Sequence, residues 1–265
     1  MVWVDERNGN ADIYRYKFST RKEIKITTNT SDQTYPAIYR NIVIWTDYRN
    51  GNKDIYGYGL FIPQEFQITT DPYDQYSPAI CGDIVVWTDD RNGTEDIYGY
   101  NLSTLEEFQI TTDPYDQKYP AIYGDIVVWI DDRNEFKSDK GWAGDIYGYN
   151  LFTKEEFQIT TDLDDQGSPA IYEDIIVWVD HRNSNADIYG YNLSTSQEFS
   201  ICKESSDQYS PAIYGDIVVW VCHHLKGVAR NFVPKPVTFI TFIKRHFCIF
   251  NLCATTFSPI NSREH

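Results

Sequence analysis

Residues 77–112 read SPAICGDIVVWTDDRNGTEDIYGYNLSTLEEFQITT, and most of the chain consists of approximate copies of this stretch. Its tryptophan, Trp87, belongs to a series whose successive members are 42, 42, 42, 49 and 42 residues apart: Trp3, Trp45, Trp87, Trp129, Trp178 and Trp220. The triplet Asp-Ile-Tyr recurs in step with them. A period in the low forties is typical of architectures in which one supersecondary unit is stacked or arranged around an axis.

Each copy divides into four short extended segments and shows no helical periodicity. In the quoted copy these are residues 78–80, 83–89, 96–102 and 107–112, and turn-forming residues separate them at hairpin spacing. Four antiparallel strands in about 42 residues are the unit of a propeller blade. The sequence therefore predicts an all-β chain: a β-propeller of five to six four-stranded antiparallel blades, complete or incomplete.

The second segment of the repeat supports blades that pack face to face. Along it, Ile84 and Val86 point to one side, and Val85 and Trp87 point to the other. Both faces are apolar, which suits a sheet covered on both sides. In the third segment, Gly99 leaves room for a neighbouring ring. We therefore interpret the abundant tryptophan and tyrosine as structural in the first place.

The pattern PAIxGDIVVWxDxRNGxxDIYGYNLxTxEEFQITT resembles the TolB-type, WD-repeat-like propeller repeat, and the resemblance covers residues 2–221. Such repeats occur in periplasmic TolB and in archaeal and bacterial cell-surface proteins. The resemblance thus implies a propeller fold and a cell-surface or extracytoplasmic location, although no signal peptide is visible in this chain. It implies little about function, because the repeat serves many roles.

The copies are not all whole. Complete ones occupy residues 35–70, 77–112, 119–161 and 168–201, the third with an insertion near residues 135–141. Residues 2–28 lack the first segment, and residues 210–221 begin a copy that stops at Cys222. We predict a propeller repeat domain at 1–221 and a non-homologous tail at 222–265, interpreted as frameshifted sequence or as improvised closing strands. Three arrangements stay open. The propeller has five blades and is closed by residues 211–214, or it has six blades of which one is defective, or the chain is a fragment of a larger array.

The charge of the chain restricts its partners. The formal net charge is −16, and residues 1–221 alone hold 17 basic and 38 acidic side chains, a charge of −21. So acidic a body should repel nucleic acid and anionic membranes. The sequence contains no run of about 18 apolar residues, which is the length that a membrane-spanning helix requires. We expect a protein or cell-envelope partner, no nucleic acid and no membrane insertion, and the sequence leaves the oligomeric state open.

Acidic residues gather where the topology predicts one end of each blade. The turn between the second and third strands carries the pattern Asp-x-Arg-Asn, and the link to the next blade carries further aspartates. In a four-stranded meander both lie at the same end, so one face of the propeller should be acidic. The candidate binding residues are Asp47, Asp89, Asp131, Asp180, Asp71, Asp74, Asp113, Asp116, Asp162 and Asp165. The alternative is structural, because Asp and Asn stabilise turns through their own hydrogen bonds.

No catalytic residues, metal ligands or cofactor are predicted. Every copy presents the same groups, so nothing distinguishes an acid from a base. Calcium stays open as an alternative because it accepts irregular oxygen cages, but the turn does not follow the spacing of a calcium loop. A zinc site from Cys222, His223, His224 and His246 is a weak further alternative. We predict a non-enzymatic binding or scaffold module; the alternatives are a propeller hydrolase or lyase acting on polysaccharide or peptide, and a calcium-stabilised spacer.

Overall fold

The computed structural model describes residues 1–134, 144–222, 247–249 and 252–256. Every regular element among them is a β-strand, and no helix in that part of the chain is long and apolar enough to cross a membrane. The insertion near residues 135–141 and most of the tail lie outside the described residues. The chain divides into two compact units, residues 1–161 and 162–265, which are described separately.

Strands at equivalent positions of the repeat have matching bounds. The first strands are β4 (Gln33–Tyr39), β8 (Gln75–Cys81), β12 (Gln117–Tyr123), β16 (Gln166–Tyr172) and β20 (Gln208–Tyr214). The second strands are β1 (Val2–Asp5), β5 (Ile42–Asp47), β9 (Ile84–Asp89), β13 (Ile126–Asp131), β17 (Ile175–Asp180) and β21 (Ile217–Cys222). The third strands are β2 (Asp12–Lys17), β6 (Asp54–Gly59), β10 (Asp96–Asn101), β14 (Asp145–Asn150) and β18 (Asp187–Asn192). The fourth strands are β3 (Lys22–Lys25), β7 (Gln64–Gln67), β11 (Glu106–Gln109), β15 (Glu155–Gln158) and β19 (Gln197–Cys202).

These strands form six sheets, here called blades 1 to 6 in chain order. Blade 1 contains β1, β2 and β3, and blades 2 to 5 each contain four consecutive strands in chain order. In blade 6 the order is β20-β21-β23-β22, where β22 (Phe247–Ile249) and β23 (Leu252–Thr256) come from the region beyond residue 222. Neighbouring strands are antiparallel. The predicted all-β architecture of four-stranded antiparallel blades is confirmed.

Within the first unit, the second strands of blades 2 to 4 are buried on both faces, as their sequence predicts. Val85 and Trp87 of blade 3 pack against an apolar surface of blade 2 formed by Ile44, Ile55 and Ile68. On the opposite face, Val86 packs with residues of blade 4, including Trp129. Trp45 makes the equivalent contact between blades 1 and 2. In the second unit, Trp220 of blade 6 packs against Val177 and Ile188 of blade 5.

The first strand of each repeat begins earlier than the sequence suggested. It starts at Gln75 rather than near Pro78, and its pairing with β9 shifts between Tyr76 and Ala79. Ser77 accommodates this bulge with a φ of 53°, in the left-handed region. The residue before the proline is left-handed in every other first strand as well, as at Tyr119. In the sequence, the proline and the preceding aspartates are typical of a loop. The three strand residues before the proline were for that reason interpreted as part of the link.

The ring that Gly99 accommodates is that of Phe108, its cross-strand partner in β11. A Cβ added at Gly99 would lie 2.6 Å from Cζ of that ring, and the contact recurs in blades 2, 4 and 5 with Phe66, Phe157 and Phe199. The glycine is thus required by close packing of an aromatic ring across the strand pair.

We predict that Gly99→Ala lowers the free energy of unfolding by about 1–3 kcal/mol, because the added methyl group overpacks the contact with Phe108. Urea denaturation measures this. In the Phe108→Leu background the same substitution should cost about 1 kcal/mol less, since the smaller side chain can retreat. An equal cost in both backgrounds would contradict the assignment of the clash to Phe108.

Candidate binding surface

In blades 1 to 5, an arginine at one end of the blade lies two residues after the second strand. In blade 3, Arg91 folds back on Asp89, with Nε 2.8 Å from Oδ1 and Nη2 2.5 Å from Oδ2. Its third nitrogen, Nη1, donates to Glu107 of β11 at 2.6 Å. The guanidinium lies over the ring of Tyr98, 4.2 Å from the centroid. Arg91 therefore joins the second, third and fourth strands at this end of the sheet.

The carboxylate of Asp89 is fully buried. It accepts the two bonds from Arg91, a third from the backbone N–H of Arg91 at 3.1 Å, and a fourth from the indole N–H of Trp87 at 2.9 Å. Four donors on two oxygens provide good compensation for removing a charge from water. Asp89 thus connects the interior tryptophan to the surface arginine.

A second buried carboxylate lies beside the first. Asp96 is the cross-strand partner of Asp89 and accepts a bond of 2.8 Å from the amide of Asn92, which also donates to the hydroxyl of Tyr98 at 3.0 Å. Burial raises the pKa of Asp96, and the amide bond opposes that effect. Among the described residues, no arginine or lysine forms an ion pair with Asp96, so the turn asparagine is its main donor.

The same arrangement recurs in the other whole blades. The groups equivalent to Asp89, Arg91 and Glu107 are Asp47, Arg49 and Glu65; Asp131, Arg133 and Glu156; and Asp180, Arg182 and Glu198. The hydrogen bond to Asp47, against the opposing effect of burial, raises the pKa of Arg49, so this side chain is a permanent cation. In blade 1, Asp5, Arg7 and Glu23 repeat the pattern, but half of the Arg7 side chain is exposed.

The links before blades 3, 4 and 5 each contribute a third carboxylate to the arginine of the blade that follows. Asp71 lies 3.8 Å from Nε of Arg91, and the equivalent pairs are Asp113 with Arg133 at 3.7 Å and Asp162 with Arg182 at 3.8 Å. These aspartates also accept a backbone N–H two residues later, as from Tyr73 to Asp71 at 3.1 Å. Their side chains remain a quarter to a third exposed. Each of these guanidiniums is therefore surrounded by three carboxylates.

In blades 2 and 3, the second aspartate of the link that follows holds that link to the residue before the third strand. Asp74 accepts the backbone N–H of Lys53 at 3.0 Å and pairs with its ammonium at 2.9 Å, and the hydrogen bond to Lys53 lowers the pKa of Asp74 against the opposing effect of burial. Asp116 accepts the N–H of Glu95 at 3.0 Å. The carbonyl of Asp165 accepts the N–H of His181 at 3.0 Å, and Asp165 is exposed.

The ten candidate residues thus fall into two groups. Asp47, Asp89, Asp131 and Asp180 are buried and engaged within their own repeat, so a partner reaches them only through their arginines. The six link aspartates lie at or near the surface of the same ends, and binding there stays a prediction. The acidic end of a blade hereafter means its link aspartates together with the Asp, Arg and Glu of this arginine network.

The fourth-strand glutamates were not among the residues predicted from the sequence. Glu65, Glu107 and Glu198 each follow their arginine by 16 residues, and Glu156 follows Arg133 by 23 because of the insertion. This constant spacing is the signal that could have found them. Among the described residues, no group of three or more His, Cys, Asp or Glu side chains is placed so that it could hold a metal ion. His223, His224 and His246 lie outside the described part.

No protein-family model matches this chain, and no curated protein matches it. TolB from Acinetobacter baumannii matches with a TM-score of 0.66 and 17% identity, over 84% of this chain and 58% of that one. A structure of a nidogen/laminin complex matches with a TM-score of 0.55 and 13% identity, over 75% and 73% of the two chains. An oligogalacturonate lyase in complex with manganese matches with a TM-score of 0.57 and 14% identity, over 86% and 67%. The fold is that of TolB-type β-propellers.

We predict that Arg91→Met lowers the free energy of unfolding by about 3–5 kcal/mol, because it leaves the buried carboxylate of Asp89 without its cation. The matched control is Arg7→Met in blade 1, where the same bonds are exposed to solvent and the cost should be clearly smaller. Chemical denaturation of both variants measures the difference. Equal losses would contradict the conclusion that burial of the aspartate makes the arginine necessary.

Proposed function

We propose that this chain is a non-enzymatic propeller module that binds a basic protein or cell-envelope partner at the acidic ends of its blades. The observation that supports this most directly is the ratio of charges at those ends. In blade 3, Arg91 is shared by Asp89, Glu107 and Asp71, and the same three-to-one ratio holds in blades 4 and 5. Each such group carries a formal charge of −2.

The geometry leaves part of this charge available. The buried aspartate is neutralised by its arginine, whereas 27% of the link aspartate side chain and 34% of the fourth-strand glutamate side chain are exposed. Repetition of the group from blade to blade creates a field that attracts cations and steers a basic surface toward this end. A lysine or arginine of a partner can pair with the exposed oxygens without disturbing the buried bonds.

The enzymatic alternative has less support. A hydrolase or lyase needs groups with different roles and separated pKa values, but the residues at these ends are the same from blade to blade. A lyase is among the structural matches, but at 14% identity it supports the fold alone. We therefore propose binding rather than catalysis. We also propose a cell-surface or extracytoplasmic location, on the resemblance of the repeat to TolB-type repeats.

We predict that a fluorescein-labelled lysine-rich peptide binds the full chain and that Asp71→Asn/Asp113→Asn weakens binding about fivefold. Each lost exposed charge contact contributes about 0.5 kcal/mol, and asparagine keeps the oxygen that accepts the turn hydrogen bond. Fluorescence anisotropy measures the affinity. Raising the salt from about 0.1 M to about 1 M should weaken binding further, because the screening length falls from about 10 Å to about 3 Å.

The matched control is Asp83→Asn/Asp125→Asn, which removes the same charge from exposed turns between first and second strands, at the opposite ends of the same blades. This variant should bind the peptide within twofold of the unchanged chain. Equal weakening by the two double variants would show that net charge rather than the acidic end attracts the peptide, and the proposal would then fail.

We predict no change in melting temperature when calcium is added at millimolar concentration. The oxygens of Asp89 already accept four N–H donors, so calcium would have to displace Arg91 to use them. A site with a dissociation constant of about 10 μM would stabilise the fold by about 2.7 kcal/mol at 1 mM calcium. Differential scanning fluorimetry with calcium and, as control, magnesium would detect this, and a shift specific to calcium would favour the calcium-stabilised spacer.

A further inference from the structure

Two consecutive links at the acidic ends carry an exposed tyrosine between their aspartates. The links from blade 2 to blade 3 and from blade 3 to blade 4 both read Asp-Pro-Tyr-Asp, at residues 71–74 and 113–116. Tyr73 is 56% exposed and Tyr115 is 41% exposed. The third link reads Asp-Leu-Asp-Asp at residues 162–165 and forms the same hydrogen-bonded turn at its first aspartate. The turn therefore does not require a tyrosine at this position.

The backbone that carries each ring is fixed by side-chain hydrogen bonds. The N–H of Tyr73 donates to Asp71 at 3.1 Å, and its carbonyl accepts the amides of Asn52 at 2.9 Å and of Gln75 at 2.6 Å. Two of the equivalent bonds hold Tyr115. A ring on so constrained a backbone loses little conformational freedom when a ligand packs on it.

Each exposed ring has beside it a carboxylate that is only loosely paired. Asp71 lies 3.8 Å from Arg91, whereas the buried Asp89 lies 2.5 Å from the same guanidinium. The side chains of Asp71 and Asp113 are 27% and 26% exposed. Each link thus presents an aromatic face and an accessible carboxylate within one turn.

Inside the blades, the same combination of ring and carboxylate holds an arginine. Four guanidiniums lie 4.1–4.2 Å from the centroid of a tyrosine ring and donate two hydrogen bonds to one aspartate: those of Arg49, Arg91, Arg133 and Arg182. A planar guanidinium can stack on the ring and bind the carboxylate with its edge at the same time. Lysine also lies over tyrosine here, as Lys53 does over Tyr76 at 4.6 Å, but its ammonium is a point charge without a plane to stack.

We propose that Tyr73 with Asp71, and Tyr115 with Asp113, form two arginine-binding sites, so that a basic partner is recognised through its arginines in preference to its lysines. The ring covers the face of the guanidinium, and the carboxylate accepts N–H groups from its edge. This inference rests on the proposed function, because the charge of the acidic ends attracts the partner. The tyrosines determine which cation is preferred, and two sites in consecutive links favour a partner with more than one arginine.

The test compares three fluorescein-labelled peptides of equal length and spacing on the full chain. Their variable positions hold arginine, lysine or citrulline, which has the planar shape of arginine without its charge. By fluorescence anisotropy, the arginine peptide should bind about fivefold more tightly than the lysine peptide. The citrulline peptide should not bind at concentrations at which the arginine peptide saturates, because the acidic ends attract charge.

The double variant Tyr73→Leu/Tyr115→Leu removes the two rings and introduces the residue that the third link carries as Leu163. It should weaken the arginine peptide about tenfold and the lysine peptide about twofold, so that the preference disappears. The matched control is Phe61→Leu/Phe152→Leu. It removes two rings that are 84% and 83% exposed in turns between third and fourth strands, at the opposite ends of blades 2 and 4, and should leave both affinities within twofold.

Two results would overturn the arginine sites and leave the proposed function intact. These are equal affinity of the unchanged chain for the arginine and lysine peptides, and a preference for arginine that persists in the tyrosine variant. Binding of neither charged peptide would overturn the proposed function and the arginine sites together. Displacement of the arginine peptide by a neutral oligosaccharide, abolished in the tyrosine variant, would assign the rings to sugar binding instead. The comparison of peptides on the unchanged chain does not depend on the stability of any variant.

Discussion

The hydrogen bond from a buried indole N–H to an aspartate two residues later is the constraint from which the rest of the repeat follows. Trp87 fills the space between blades 2 and 3, and its one polar atom must be satisfied there. Asp89 satisfies it at 2.9 Å, but a buried carboxylate is unstable without a cation. Arg91 supplies the cation from the following turn, and the turn sequence is fixed by that need.

The acidic surface is a consequence of the same interaction. Because Arg91 is directed at the buried aspartate, its third nitrogen, Nη1, donates to Glu107, and Asp71 lies 3.8 Å from its Nε. Three carboxylates then surround one guanidinium, and the two nearer the surface keep exposed oxygens. The requirement to compensate the buried charge of Asp89 thus determines the negative charge at the surface. Because the motif repeats, that charge increases with the number of blades. Binding of a basic partner requires no residue beyond those that the fold already contains.

The sequence was sufficient for the architecture because the architecture depends on periodic signals. The tryptophan spacing, the two apolar faces of residues 84–87 and Gly99 all predicted features that the structure contains. The burial of Asp89 was not predictable in the same way, since Asp-x-Arg-Asn-Gly is also a common exposed turn. Only the contact of the Arg91 side chain with the end of β9 distinguishes a buried aspartate from one in an exposed turn. Glu107 was missed because its partner lies across two strands, and Gln75 was assigned to the link because a bulge separates it from Pro78.

Blade 1 separates what the repeat sequence determines from what its neighbours determine. Trp3, Asp5 and Arg7 form the same bonds as their counterparts elsewhere, so the local network needs only the second, third and fourth strands. Yet more than half of the Arg7 side chain is exposed, against about a fifth for Arg49, Arg91 and Arg133. The first strand and the link before it therefore do not create the network; they remove water from it. Blade 1 therefore keeps its internal order with three strands, since the hydrogen bonds that define the repeat are complete without the strand and link that bury them in the other blades.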